Sequence, residues 1–336
     1  MTKKENKSPS LIVRILASIL CVLIVLVAIA LIGFSVGENI VFAKFYSRAD
    51  KAFKIPGLWG GSVPQGFEYI DENDIFLYTG YHKDKVSPSM VYIMPDDGEG
   101  KARMVELYEK DGTAFDSHVG GITIYGDYAY IADGKGIALF ELSDILDSDG
   151  KATKYDSIEV DFSVAFVEVN GDKLYCGNFY RAVDYETPQN HHITTPNGDK
   201  NTAIIYEYAL NPDTSYPKSV IPDSAFSITN AIQGMTFGKN GEIFLSSSWG
   251  LSKSHIYVYN TANASKGEFA LESGSIPLTY LDSKCLIDDI VAPPMAEEIV
   301  YDDGELYIIG EAASMKYLFG KITGAQYVYA YEYIDD

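Results

Sequence analysis

The stretch from residue 118 to 142, HVGGITIYGDYAYIADGKGIALFEL, constrains the fold more than any other because its pattern keeps returning. It opens on Gly120 and Gly121, enters a short strand, turns at Tyr125-Gly126-Asp127 and continues as a β-rich strand over 128–132. A second turn at 133–136 leads to a third strand over 137–142. Gly and Asp tolerate the positive φ that tight hairpins demand, and aromatic and β-branched residues suit a pleated, half-buried surface. The same order recurs from Pro64 (PQGFEYIDENDIFLYTGY), Val164 (VAFVEVNGDKLYCGNFY), Ile232 (IQGMTFGKNGEIFLSSSWG) and Ala296 (AEEIVYDDGELYIIGEAAS). Third strands follow at 90–94, 203–209, 255–260 and 327–333.

Aligning Gln65, Gly120, Ala165, Gln233 and Glu297 gives repeat spacings of 55, 45, 68 and 64 residues. Multi-stranded units at such intervals predict an all-β fold, a β-propeller. Each unit has a face it cannot cover alone, so neighbours stack, and ring closure leaves no unprotected end. Small residues open the first strands because innermost strands crowd around a central channel. A β-sandwich would not explain five returns of one motif. Five blades are expected; a sixth could be assembled from 42–59 and the terminal strands. The strand at 327–334 nearly ends the chain, as expected of one that completes a blade begun by the other terminus.

Ahead of the repeats the chain has a different character. Residues 1–14 carry Lys3, Lys4, Lys7 and Arg14, and 15–37 then pass without a charge. At 1.5 Å per residue that apolar run is about 34 Å, enough to cross a bilayer with tilt. The preceding positive charges put the N-terminus inside and everything after Gly37 outside the plasma membrane, as a single-pass signal anchor. A cleaved signal peptide is the rival, but its apolar region is usually about 7–15 residues. Residues 38–56 read as a juxtamembrane stalk, with Val41, Phe45, Ala49 and Ala52/Phe53 at helical spacing up to Pro56. Residues 57–336 form the extracytoplasmic propeller.

Charge and cysteines narrow the partners. The net charge is -21, distributed as +3 over residues 1–50 and -24 over the rest. Such a field repels nucleic acid and favours a cationic partner or Ca²⁺, and it also serves solubility alone. Cys21 lies in the apolar segment, so Cys176 and Cys285 suffice for one disulfide and no dense framework.

The residues opening the inner strands ring the channel mouth: Gln65, His118, Gln233, Glu297 and Glu298, with Glu68, Asp161, Asp288 and Asp289 nearby in sequence. Converging oxygens are what Ca²⁺ needs, though no calcium-loop spacing is present; the alternative is hydrogen bonding to backbone and trapped water. His118 is the better catalytic candidate by position, beside the channel with Asp116 two residues before it, the alternative being a hydrogen-bonded structural residue at a strand start. Tyr81, Tyr180 and Trp249 end equivalent second strands and would make an aromatic rim for a sugar or peptide, the alternative being packing. His191-His192 sit in a 181–202 insertion with no periodicity, where adjacent side chains diverge and one ion would not take both. There is no nucleophile elbow, phosphate loop, zinc motif or dinucleotide fingerprint.

Val63-Pro64-Gln65-Gly66, His118-Val119-Gly120-Gly121 and Ile232-Gln233-Gly234-Met235, each followed by a hairpin, resemble the repeats of bacterial propellers in the broad group of YncE-like, NHL-repeat and SMP-30/gluconolactonase-like families. The resemblance spans about residues 60–335 and implies the fold. In SMP-30-like enzymes a channel carboxylate from a Pro-Glu-Gly segment helps bind a divalent cation; here Gln65, an amide, stands at that place. The leading expectation is therefore a membrane-anchored module that binds an envelope glycan, peptide or protein. The alternative is a metal-dependent, Ca-type hydrolase or lyase at the channel mouth.

Overall fold

A computed structural model of the chain describes residues 10–96, 100–317, 320–321 and 323–334. The chain divides into two compact units, residues 1–43 and 44–336. Within the first, Leu11–Val41 is a single 31-residue helix capped by Ser10, long and apolar enough to cross a membrane, as anchors and signal sequences both are.

The second unit is a five-bladed β-propeller. Its inner strands are Ser62–Ile70, Ile122–Tyr125, Phe166–Asn170, Ile232–Phe237 and Ala296–Asp302, and each heads an antiparallel blade of four strands. The inner strands neighbour one another in cyclic order, the fifth returning to the first. Blade five draws on both ends of the chain: Ala49–Lys54 pairs antiparallel with Tyr327–Glu332, from Ala49 opposite Tyr331 to Lys54 opposite Tyr327. Among the described residues no sixth blade forms, because 42–59 contributes just this strand to a sheet. The helical reading of the 38–56 stretch is corrected at the same point. A short helix, Ala43–Tyr46, is followed at Ala49 by strand, since the free edge of Tyr327–Glu332 offers backbone partners that outweigh local periodicity.

The core lies in the wedges between blades. Val63, Leu77, Val91 and Val105 of blade one pack on Ile122, Ala129, Ala138 and Phe140 of blade two. Tyr130, Leu139 and Ile137 meet Val167, Leu174 and Tyr206 between blades two and three. Crowding at the axis explains the small residues opening the inner strands. A Cβ on Gly120 would lie 2.0 Å from the carbonyl oxygen of Ala165 in the next blade. Side chains stitch these strands where no ladder can: Thr79 Oγ1 donates to the Val119 carbonyl (2.8 Å), and Thr123 Oγ1 accepts from Val169 N (3.1 Å).

Two parallel contacts join blades at their rims. Blade one's outer strand, Arg103–Tyr108, pairs with the start of Lys151–Glu159 of blade two. A hairpin inserted in blade four, Lys266–Leu271 and Gly274–Tyr280, lays its second strand on Ser224–Ile228 of blade three. The 181–202 insertion is ordered. It contains a turn closed by reciprocal backbone bonds between Arg181 and Tyr185, a 3-10 turn at Gln189–His191, and a two-stranded hairpin. Asn201 Nδ2 donates to the carbonyls of Ser227 and Leu281 (2.9 and 3.0 Å), fixing its far end. Cys176 and Cys285 are buried free thiols.

Candidate active site

Three of the five inner strands are bulged at their first turn, and the bulges fall on the polar residues. Gln65 and Gly66 together oppose Thr79, Gln233 is extra between Ile232 and Gly234, and Glu297 and Glu298 together oppose Ile309. A bulge re-aims a side chain out of strand alternation, and here it turns Gln65, Gln233 and Glu297 into the channel mouth. Two residues before the bulged Gln233 and Glu297, Ala231 and Met295 hold φ of 56° and 65°, and Val119, ahead of the unbulged inner strand of blade two, holds 50°. Left-handed backbone in such residues is strained, and the tertiary structure sustains it there.

The result is one cavity of about 340 Å³ at the mouth, lined by residues of all five blades. Its polar side is Gln65, Gln233, Glu297, Glu311, Lys316 and His118; its opposite wall is Phe179, Tyr185 and Trp249. Gln65 Nε2 donates to Glu311 Oε2 (3.4 Å), and Lys316 Nζ donates to Tyr81 Oη (2.5 Å). The wall is braced from behind, where the Arg181 guanidinium lies 3.9 Å from the Trp249 ring centre.

Burial sets the protonation states. Glu297 is 4% exposed, and its pKa is pushed well above the carboxylate range by desolvation first and by Glu311 next, against the pull of Lys316. Glu311 moves the same way, again mainly through desolvation. His118 packs on Tyr81 at 4.7 Å between ring centres. Its pKa is lowered, by desolvation first and then by the Lys316 and Lys85 ammoniums. His118 is nevertheless solvent-exposed at the mouth, so the desolvation is weaker than deep burial would make it, while the nearby ammoniums keep the shift downward. The surroundings thus favour the protonated carboxyl of Glu297 and the neutral imidazole of His118 in one cavity.

The floor is Glu298, 2% exposed, which crosses the channel. Its Oε1 accepts from Met235 N of blade four (2.9 Å), while its Oε2, without a hydrogen-bond partner among the described residues, lies 3.1 Å from where a Cβ on Gly121 of blade two would be. Below it Glu68 and Glu168 face the channel. Desolvation raises both, Glu68 to about 7, and Glu68 and Glu298 raise Glu168 further.

Of the residues singled out from sequence, Gln65, His118, Gln233, Trp249 and Glu297 line the cavity. Tyr81 stands behind His118, and Glu298 lies beneath. Tyr180 faces elsewhere, against His192 at 4.8 Å between ring centres, while the neighbouring Phe179 enters the wall instead. His191 and His192 diverge: His191 Nδ1 meets Asn178 Nδ2 (2.9 Å) and His192 Nε2 meets Thr187 Oγ1 (3.0 Å). Sequence reasoning missed Glu311, Lys316 and Tyr317: Glu311 directly follows the second strand of blade five, Glu305–Gly310, near the register Trp249 holds in blade four, whereas Lys316 and Tyr317 lie further along an irregular connection that no repeat register reaches.

A divalent cation does not fit this mouth. The Lys316 ammonium, held on Tyr81 Oη, already sets a positive charge near Glu297 and Glu311 and lowers the pKa of both. Gln65 turns its amide, a donor, toward Glu311. Among the described residues no three His, Cys, Asp or Glu side chains converge as metal ligands.

No protein-family model and no curated protein matches the sequence. Solved structures resemble it in shape. The PQQ-bound aldose sugar dehydrogenase of Streptomyces coelicolor is 9% identical over 84% of this chain and 95% of its own, with a TM-score of 0.41. The glutaminyl cyclase of Myxococcus xanthus is 7% identical over 84% and 94%, at 0.42. The exo-β-1,3-galactanase of Phanerochaete chrysosporium is 9% identical over 84% and 64%, at 0.46.

Proposed function

We propose that the channel mouth is the active site of a metal-independent hydrolase or lyase acting on a small hydroxylated substrate, held outside the plasma membrane by the Leu11–Val41 helix. One observation carries the reading: His118 and Glu297 line the same cavity, and their surroundings move their pKa values in opposite directions, favouring a neutral imidazole as proton acceptor and a protonated carboxyl as proton donor. His118 takes a proton from a water or a carbon acid, and Glu297 gives one to the leaving oxygen. The aromatic wall suits the C–H face of a sugar-like ring, and the glutamines and Glu311 suit its hydroxyls. The outward orientation rests on Lys3, Lys4, Lys7 and Arg14 preceding the apolar run.

The test is turnover of aryl esters and lactones of small sugars by the full chain in detergent, with His118→Asn and Glu297→Gln beside it. Activity should rise as His118 deprotonates and fall as Glu297 ionises, and each variant should lose about 10²-fold or more in kcat. A sugar that raises the melting midpoint without turnover would favour the binding-module reading, which the braced aromatic wall of Phe179, Tyr185 and Trp249 also supports. Unchanged kcat in both variants would sink the acid–base assignment.

A further inference from the structure

Away from the mouth, a groove runs along the flank between blades two and three. Two adjoining clefts, about 540 and 460 Å³, share Glu159, Val160, Asp161, Tyr208 and Val220. One border is the end of blade two's outer strand, Lys151–Glu159. That strand meets blade one only at Lys151, Ala152 and Thr153, so, among the described residues, 156–159 have a strand partner on the inner side alone, and Tyr155, at a register shift, pairs on neither side. Two outer edges are covered, blade one's by the parallel contact of Lys151–Glu159 and blade three's by Gly274–Tyr280, while Leu286–Ala292 of blade four and Ala49–Lys54 of blade five end their sheets as this strand does. An uncovered edge displays N–H and C=O groups ready to pair with an added strand.

The groove's chemistry says what that strand would carry. Glu159, Asp161 and Glu272 line the clefts, and no Lys or Arg does. Desolvation and the Glu272 charge both raise the pKa of Asp161, so a cation there would relieve a cost already present. Asp156, which accepts from the Tyr216 hydroxyl (2.7 Å), extends the acidic border. The apolar complement is Tyr208 and Tyr216, with Val220 93% exposed at the lip.

We propose that this groove docks an extended basic segment of a partner protein, added as a strand along residues 155–159. Alternate Lys or Arg side chains of that segment pair with Glu159, Asp161 and Glu272, and the apolar side chains between them pack on Tyr208 and Val220. The site is separate from the mouth and independent of any catalytic reading.

The test uses the full chain in zwitterionic nanodiscs and a fluorescent octapeptide alternating Lys and Val. Binding by anisotropy should slow amide hydrogen exchange at residues 155–159. The Glu-for-Lys peptide should bind at least tenfold more weakly, and methylation of alternate peptide amides should abolish binding. Glu159→Gln with Glu272→Gln, both at exposed side chains, should weaken binding roughly fivefold, as expected for two solvent-facing ion pairs. Absence of binding, unchanged exchange at residues 155–159, or equal binding of the methylated or acidic peptide would each overturn the proposal.

Discussion

Glu68 makes the closed channel measurable as a pH dependence. Its carboxyl accepts from Tyr69 N (2.8 Å) and its pKa is raised from 4.5 to about 7, chiefly by desolvation. A carboxyl whose folded pKa exceeds its unfolded one binds its proton more tightly when folded. Its contribution to stability is thus intact below pH 4.5 and is lost as pH rises toward 7. At about 1.36 kcal/mol per unit, the whole shift is worth about 3 kcal/mol, of which about 2.5 falls between pH 5 and 8. Glu68 is partly open to the channel, so these are upper values. Glu68→Gln removes the titration while keeping shape and an acceptor oxygen. Urea unfolding of the full chain in detergent, followed by the fluorescence of Trp59 and Trp249, both in the propeller, should show the wild type losing up to about 2.5 kcal/mol more than the variant from pH 5 to pH 8. Comparing slopes cancels any constant cost of the substitution. Parallel losses would refute the argument, since they would mean that Glu68 is already ionised in a wetter channel.

Two further predictions concern the same axis. In Gly234→Ala the new Cβ would lie 1.9 Å from Glu298 Oε1 and 2.8 Å from Glu298 Cα, so backbone must shift. A loss of about 3 kcal/mol or more is expected by denaturant unfolding, above the 1–3 kcal/mol usual for overpacking by flexible neighbours. Because the Lys316 charge already lowers the pKa of Glu297 and Glu311, millimolar Ca²⁺ and EDTA should leave the melting midpoint of the full chain unchanged within a degree or so; a Ca²⁺-dependent rise would show that a cation binds despite the lysine.

The candidate site was only partly legible in the sequence, for a physical reason. Aligning the repeats put Gln65, Gln233 and Glu297 in equivalent places, but ordinary strand alternation could not say that bulges would turn all three into one cavity. His118 was legible because it directly precedes the Val119-Gly120-Gly121 opening of its strand. Lys316 was not: it lies in an irregular connection of blade five, and what gives it meaning is Tyr81, 235 residues earlier.

What the sequence determined by itself is the local grammar. Turn glycines, small strand openings and aromatic second strands recur, and each repeat can bury its faces only against another, so the ring follows from local pattern and solvent. The uncharged run that became the Leu11–Val41 helix was legible for the same reason, since helix length and polarity are properties of consecutive residues. The tertiary structure alone decided the rest. Strand 49–54 exists because the other end of the chain left an edge to fill, overriding helical spacing. The raised pKa values of Glu297, Glu298 and Glu168 arise because strands from different blades exclude water around them. Desolvation and Coulomb repulsion depend on distance in space, and the sequence orders residues only along the chain.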